Sequence, residues 1–357
     1  MSEKASGLPR IARYKPYYQA LEKGRTYRWC SCGLSSRQPF CDGSHRGTGY
    51  EPVSYTAREQ GEEVLFCGCK HSAAQPFCDG AHNNLKGEYE SDDPNSAANR
   101  AVRLVSADKD GRAWLNGGCY VQSPASGGAS TRGNLSVSSL INADSGARFQ
   151  SQFYFEAGGG ASPVVGFGRR DVALLVAAGS GRIEISGRRF AIEQETGVYI
   201  RPGEAFRIDN PGGDAIKVFA SVCPLAHSPE WPALMPENFD ARFPERVVGI
   251  DRENRQAMGN RFFQILVDSA VGSDVVTQFI GEIPLSKALP HRHLYEESLV
   301  ILRGSGYMWT QDLKAKVSAG DIVFLPRKQQ HSLECTDAGG LYLVGVIYPG
   351  NNPAVNY

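Results

Sequence analysis

The sequence predicts a mainly β protein built from more than one compact unit, and three observations carry that prediction. Forty glycines and twenty prolines among 357 residues set tight turns at short intervals, which suits short strands and leaves little room for long helices. From about residue 146 onward, short apolar runs stand between those turns: 172–176, 182–185, 298–302 and 321–325. Some alternate and some are continuously apolar, the patterns of half-buried and fully buried strands. A length of 357 residues also exceeds the usual size of one core. Charge excludes further classes: 38 Lys and Arg balance 38 Asp and Glu, so no global field would hold the chain on nucleic acid or an anionic lipid surface. No apolar run approaches the ~20 residues of a membrane helix. Residues Met1, Ser2, Glu3 and Lys4 lack the apolar stretch of a secretory leader, and a cytoplasmic location is expected.

The first element is a repeat. Cys30-Ser-Cys-Gly-Leu-Ser-Ser-Arg-Gln-Pro-Phe-Cys-Asp-Gly-Ser-His45 returns 37 residues later as Cys67-Gly-Cys-Lys-His-Ser-Ala-Ala-Gln-Pro-Phe-Cys-Asp-Gly-Ala-His82, with ten of sixteen positions identical. Six of the nine cysteines lie in these two runs, and such crowding in a reducing compartment argues for metal or cluster ligation over disulfides. Cysteines at i and i+2 of an extended stretch point to one side, while Cys41 and His45, four apart on a short turn, share a face. Asp42 is the expected capping acceptor of that turn. Each copy thus offers three thiolates and one imidazole: Cys30, Cys32, Cys41 and His45, then Cys67, Cys69, Cys78 and His82. By ligand type alone, tetrahedral zinc and an iron-sulfur cluster both fit.

The pattern C-x-C-x2-[ST]-x3-P-x-C-D-G-[SAT]-H runs through both copies and resembles the CDGSH iron-sulfur family, mitoNEET-like and here in tandem. The resemblance implies one 2Fe-2S cluster per copy, with Cys30 and Cys32 (Cys67 and Cys69) on the inner iron and Cys41 and His45 (Cys78 and His82) on the outer one. It also implies that the copies pack as a pseudo-dimer. His71, at the place of Leu34, has no counterpart and reads as a solvated loop residue. The basic residues Lys4, Arg10, Arg13, Lys15, Lys23, Arg25 and Arg28 outnumber Glu3 and Glu22 before Cys30; a solvated surface is the plain reading, and steering of an acidic electron carrier the functional one.

A second constellation stands near the C-terminus: His291, His293 and Glu297, followed by His331 after Pro326. Three imidazoles and a carboxylate suit a divalent iron, manganese, nickel or zinc ion and leave octahedral positions open for ligands that react. These residues resemble the two cupin motifs, with H-x-H-x3-E-x6-G intact. Gly281 lies ten positions before His291, where the motif's glycine lies six before, and Lys328 replaces the second motif's middle glycine. Glu296 is the competing carboxylate, and the count from His293 favours Glu297. Residues 146–225 look like a degenerate cupin: Gly179-Ser-Gly181 matches Gly304-Ser-Gly306, and Phe206 or Arg207 stands where the last histidine would be. Tyr307 and Trp309, on one strand face, either line the pocket or belong to the core. Arg292 is expected in solvent, and Cys119, Cys223 and Cys335 as small buried residues.

The resulting fold class is mainly β, a small tandem CDGSH domain followed by a bicupin of two jelly-roll units. Its expected divisions are 1–95 for the cluster domain, 96–145 for a connector with leading strands, 146–225 for the degenerate cupin, 226–260 for a second connector, and 261–350 for the metal-binding cupin. A polar hinge is expected at 91–98, and the Gly/Ser-rich run 123–133 as a flexible loop or lid. The implied cofactors are two 2Fe-2S clusters and one mononuclear Fe(II), with manganese, nickel or zinc as alternatives. The implied function is a non-haem iron oxygenase that takes a small organic substrate and O2 and draws electrons through the clusters from an external reductase or ferredoxin-like donor. Alternatives are a dioxygenase whose clusters regulate, a redox-sensing or cluster-transfer protein, and a non-redox metalloenzyme. No nucleic-acid or membrane partner is expected, and self-association is left open.

Overall fold

The structure is a computed structural model that describes residues 7–85, 90–126 and 128–357. In the N-terminal unit, strands Tyr17–Leu21 and Thr26–Trp29 precede the first cysteine motif, and Val53–Thr56 and Glu62–Phe66 precede the second. Tyr17–Leu21 pairs with Glu62–Phe66, and Thr26–Trp29 with Val53–Thr56, both antiparallel. Each copy therefore lends a strand to the other, and the copies share one core. Phe66 lies between Phe40 and Phe77, with ring centroids 5.6 and 5.7 Å away. The indole of fully buried Trp29 donates to the Cys67 carbonyl at 2.9 Å.

The rest of the chain forms two sandwiches of one plan. In the first, a seven-stranded sheet that holds Asp171–Ala178 between Thr196–Ile200 and Ile216–Cys223 faces the sheet of Gly181–Ile185, Arg188–Ile192 and Ala205–Asn210. In the second, an eight-stranded sheet holds Glu296–Arg303 between Ile322–Leu325 and Leu341–Tyr348, opposite the sheet of Ser305–Trp309, Leu313–Ser318 and Ser332–Cys335. The turns Gly179–Gly181 and Gly304–Gly306 join equivalent strands, as the weak duplication suggests. The larger sheets pack on each other: Leu140, Leu175 and Phe219 meet Leu266, Ile280, Val300 and Val344 in one buried cluster.

The expected connectors are built into these sheets. Within 96–145, strands Arg103–Val105, Arg112–Trp114 and Tyr120–Gln122 complete the second sandwich, while Ala129–Arg132 and Leu135–Ile141 belong to the first. Open sheet edges need partners, and this segment supplies both sandwiches in turn. In the second connector, Val247–Val248 and Gln256–Met258 likewise add an edge to each sandwich. Nor is the polar stretch 91–98 a free hinge: the Asp92 amide donates to the Lys287 carbonyl at 2.9 Å, and its carboxylate pairs with the Lys287 ammonium. The run 123–133 carries a paired strand, and none of its described residues lines the cavity at the histidine cluster.

The cluster domain sits on the second sandwich. Glu63 pairs with Lys328 and with Arg327 at 3.2 Å, and Tyr18 stacks on Tyr357 with centroids 5.6 Å apart. Asn83 donates to the Ala354 carbonyl at 2.8 Å, and Asn352 donates to the Asp79 carbonyl at 3.1 Å. A Cβ on Gly80 would come 2.6 Å from that of Ala354, so this contact requires glycine. Lys328 has φ 63°, a left-handed backbone that explains the motif's glycine. Here the position carries a long side chain that reaches Glu63 across the domain junction.

Candidate active site

In the first cysteine motif the Sγ atoms of Cys30 and Cys32 lie 3.7 Å apart, and Cys41 Sγ is 3.1 Å from His45 Nδ1. The second repeats this, with Cys67 and Cys69 at 3.5 Å and Cys78 Sγ 3.4 Å from His82 Nδ1. The predicted capping role belongs to the aspartates. Asp42 accepts from the Ser44 amide at 3.1 Å and, with its other oxygen, from the Ser36 amide at 2.8 Å. Asp79 does the same for Ala81 and Ala73. Each aspartate so ties the histidine turn to the loop after the paired cysteines. The turn is a single 3₁₀ turn in the second copy, Ala81–Asn84, and an irregular turn in the first.

One thiol of each paired set is shifted downward from its ordinary pKa. The Cys69 thiol donates to Cys67 and brings it down to about 6 against the upward push of burial, while Cys69 itself is raised. At Cys30, burial pushes upward, but donors at Ser35 and Cys32 outweigh it and the net shift is downward. Between the copies lies Lys70, 1% exposed, whose ammonium donates to Gln38 Oε1 at 2.8 Å and to the Cys67 carbonyl at 3.1 Å. Gln38 in turn donates to Cys30 Sγ at 3.4 Å. Desolvation lowers Lys70 to about 8, against the thiolates around it. A buried cation joined to both sulfur sets fits anionic groups there. His71 donates from Nδ1 to the Cys69 carbonyl at 2.7 Å, so it is held in the loop.

In the second sandwich, His291 and His331 face each other across an isolated antiparallel bridge, their amides and carbonyls exchanging bonds of 3.0 and 3.1 Å. Donor atoms of His291, His293 and His331 all lie within 4.8 Å of one another. Glu297 is the second residue of the strand Glu296–Arg303, with Oε2 3.1 Å from His293 Nε2. Glu296, on the strand's opposite face, accepts from the amides of Arg148, Phe149 and Gln150 at the junction of the two sandwiches. Nδ1 of His291 and of His331 each meet a backbone carbonyl at 2.9 Å, those of Leu289 and Gln329. With Nδ1 protonated, each Nε2 keeps its lone pair. Burial first, then neighbouring histidines, drive His291 down to about 3 and His331 well below its ordinary value. His293 Nδ1 is buried without a hydrogen-bond partner. Three imidazoles, two of them held neutral, beside one carboxylate are the donor set of a divalent-metal site, and the residues fit one. In the first sandwich Phe206, fully buried and packed edge-on to Phe155, fills the place of the last histidine.

A cavity of about 570 Å3 opens from these histidines and Glu297, a size ordinary for small-molecule sites. Its walls are largely apolar, from Phe263, Phe279, Met308, Leu333 and Leu343, with the buried cation of Arg261 among them. Between Tyr307 and Trp309 it is Met308 that faces the cavity, while Trp309 is buried and donates to Glu334 at 2.8 Å. Arg292 is held by the Lys328 carbonyl and Gln330, each at 3.1 Å, and not left in solvent. The far wall comes from the cluster domain: Arg13, Tyr14, Lys15, His82 and Asn83. His82 is 4% exposed. These residues are distant in sequence from the histidine cluster, and no local motif marks them as its neighbours.

Comparison with known proteins fits this division. A family model, iron-binding zinc finger of CDGSH type, matches residues 11–46 and 50–83. The N-terminal unit is a CDGSH iron-sulfur domain. Its relatives include the CDGSH iron-sulfur domain-containing protein 3, mitochondrial, of Mus musculus, 49% identical over 49 residues, and that of Homo sapiens, 49% identical over 47 residues. The match takes in 13% of this chain and 36% or 37% of those proteins, about a third of their length. Downstream of the CDGSH domain the fold is a bicupin. It resembles the oxalate decarboxylase of Lactobacillus farciminis in its formate complex (TM-score 0.51, 12% identity, 66% of this chain and 87% of that one) and Brassica napus procruciferin, an 11S globulin (0.52, 10%, 68% and 86%). At such identities the likeness concerns fold alone. No helix among the described residues is long and apolar enough to cross a membrane.

Proposed function

We propose that the protein is a non-haem Fe(II) cupin oxygenase acting on a small organic molecule with O2, supplied with electrons through the fused CDGSH domain. One observation carries the reading: the outer-iron ligand His82 and the cupin residues His291, His293, His331 and Glu297 line the same cavity. Bound by those four residues, iron supplies activation of dioxygen, and two 2Fe-2S clusters supply single electrons. The residues of the chain do the rest. His291 and His331 stay neutral and offer Nε2 because Leu289 and Gln329 hold their Nδ1 protons. Phe263, Phe279, Leu333 and Leu343 exclude water and fit the apolar body of a substrate. Arg261 sets a positive charge near His291 that would orient an anionic substituent. The electron donor is an external reductase or ferredoxin-like carrier, and the setting is cytoplasmic.

The test is anaerobic purification, metal analysis, and measurement of O2 consumption with candidate organic acids under a supply of reductant. Stoichiometric O2 uptake that stops in His291→Ala while cluster absorbance persists supports the reading. Zinc in place of iron throughout, or turnover at full rate in cluster-free protein, overturns the oxygenase or the donor role respectively.

A further inference from the structure

The two copies of the CDGSH motif share their Cys and His positions but stand in different surroundings. His82 is buried and lines the cupin cavity, whereas the His45 side chain is 14% exposed, with Nε2 3.6 Å from the solvent-exposed Glu51. The residues that differ between the copies follow the same division. Around the first motif stand three exposed arginines, Arg28, Arg37 and Arg46. At the matching positions the second copy has Leu65, which is buried, Ala74, and Asn83, which donates to Ala354 of the cupin. The arginines flank the outer ligands: the Arg28 carbonyl accepts from the Cys41 amide at 2.8 Å, Arg46 follows His45, and Arg37 lies in the loop that Asp42 ties down. The nearby acids are Asp42, engaged by Ser36 and Ser44, and Glu51 beside His45. Leu34, 43% exposed, adds an apolar spot. Exposed arginines on the segments that carry the first motif, with an exposed leucine and a partly exposed redox ligand among those segments, are the complement of an acidic protein surface.

We propose that the two cluster sites have fixed and different roles: the first, at Cys30, Cys32, Cys41 and His45, receives electrons from an acidic one-electron carrier protein docked on Arg28, Arg37 and Arg46, and the second, at Cys67, Cys69, Cys78 and His82, delivers them to the cupin cavity. The proposal rests on the functional reading above and adds its direction and partner. Per step, the reduced carrier loses one electron and the first cluster gains it. The second cluster then takes it, restoring the first, and passes it to the cupin metal, which is reduced from ferric to ferrous. The contacts between the sites run through Gln38 and Lys70, which bond to Cys30 and to the Cys67 backbone.

Two measurements on the full chain test this without substrate or dioxygen. In the first, a small acidic 2Fe-2S ferredoxin, prereduced, is mixed with the protein and cluster bleaching is followed by stopped flow. The triple variant Arg28→Glu, Arg37→Glu, Arg46→Glu should lose at least tenfold in second-order rate and most of its salt dependence, since steering is what the charges provide. The control Arg188→Glu, Arg189→Glu, on the first cupin, should not change. Equal rates in the triple variant and wild type, or an equal loss in the control, overturn the docking surface. In the second, Mn(II) is loaded in the cupin site and the electron-spin relaxation of each reduced cluster is measured. His45→Cys lowers the first cluster's potential, so mild reductant populates the second alone; His82→Cys does the converse. Manganese should speed the relaxation of the second cluster strongly and of the first weakly, with the effect lost in His291→Ala. The reverse order, or equal enhancement, overturns the assignment, and either His→Cys variant alone, compared with fully reduced wild type, decides it. If both results appear as expected yet no O2 is consumed, the oxygenase reading falls and the direction stands. If O2 is consumed and the cluster order is reversed, the opposite holds.

Discussion

Replacing Glu296 by Ala should destabilise the two-barrel unit by about 3–5 kcal/mol, the range for removing one partner of a buried charged network. Its carboxylate is 2% exposed and accepts three backbone amides, from Arg148 at 2.9 Å, Phe149 at 2.9 Å and Gln150 at 3.2 Å. Each bond to a charged group contributes about 1.5–3 kcal/mol, but the simple sum overshoots because taking the carboxylate out of water opposes it. Burial is the largest influence on this group and raises its pKa above 4.5. Glu296→Gln keeps one acceptor oxygen and should cost less, about 1–3 kcal/mol at low pH. The pH dependence follows in sign. A carboxyl whose pKa is raised on folding binds more protons in the folded state, so its contribution is fully present below about pH 4.5 and declines as pH rises through the folded value. The gap between wild type and Glu296→Gln should therefore narrow from pH 4.5 upward. Urea unfolding at several pH values, with the slope m held constant across variants, reads both effects. A loss under 1 kcal/mol in Glu296→Ala, or a gap that widens with pH, would refute the reasoning. Iron content should survive in Glu296→Gln and fall in Glu297→Gln, since the two side chains lie on opposite faces of one strand.

Three more expectations follow from single contacts. His331→Ala removes one donor of the set within 4.8 Å and should weaken Mn(II) binding by at least about 100-fold, measured by titration calorimetry, with cluster absorbance unchanged. Lys328→Gly relieves a residue at φ 63° by about 1 kcal/mol but breaks the pair with Glu63. Hydrogen exchange should then rise at residues 79–84 and 352–356, and unchanged exchange there would remove Lys328 from the docking contact. Lys70→Gly, which copies the first motif's Gly33 at a similar φ of 71° and 78°, deletes a buried cation bonded to the Cys67 carbonyl and Gln38. Cluster potentials should fall by on the order of tens of millivolts, read by redox titration, and potentials that do not move would show the charge to be compensated.

By itself the sequence determined which side chains converge at each site, because such sets are written in local spacing. Cys30 and Cys32, or His291 and His293, reach one side of an extended stretch wherever that stretch lies, and Asp42 caps the turn that carries His45. The mainly β class and the doubled sandwich were equally legible in short apolar runs and repeated glycine turns. Even the choice of Glu297 over Glu296 came from counting along one strand. What only the tertiary structure decided is which distant residues meet. That the strands of 103–122 complete a sandwich whose other strands begin after 255, and that Met308 and not its neighbours faces the cavity, depend on pairing across long loops. The same holds for the difference between the two copies of one motif. His45 and His82 end the same Cys-Asp-Gly-x-His run; one lies beside the exposed Glu51 and the other against the cupin because Asn83, Gly80 and Asp79 fit the tail at 352–354. Local spacing fixes which atoms converge, while burial and contact are sums over the whole chain, and no segment carries them alone.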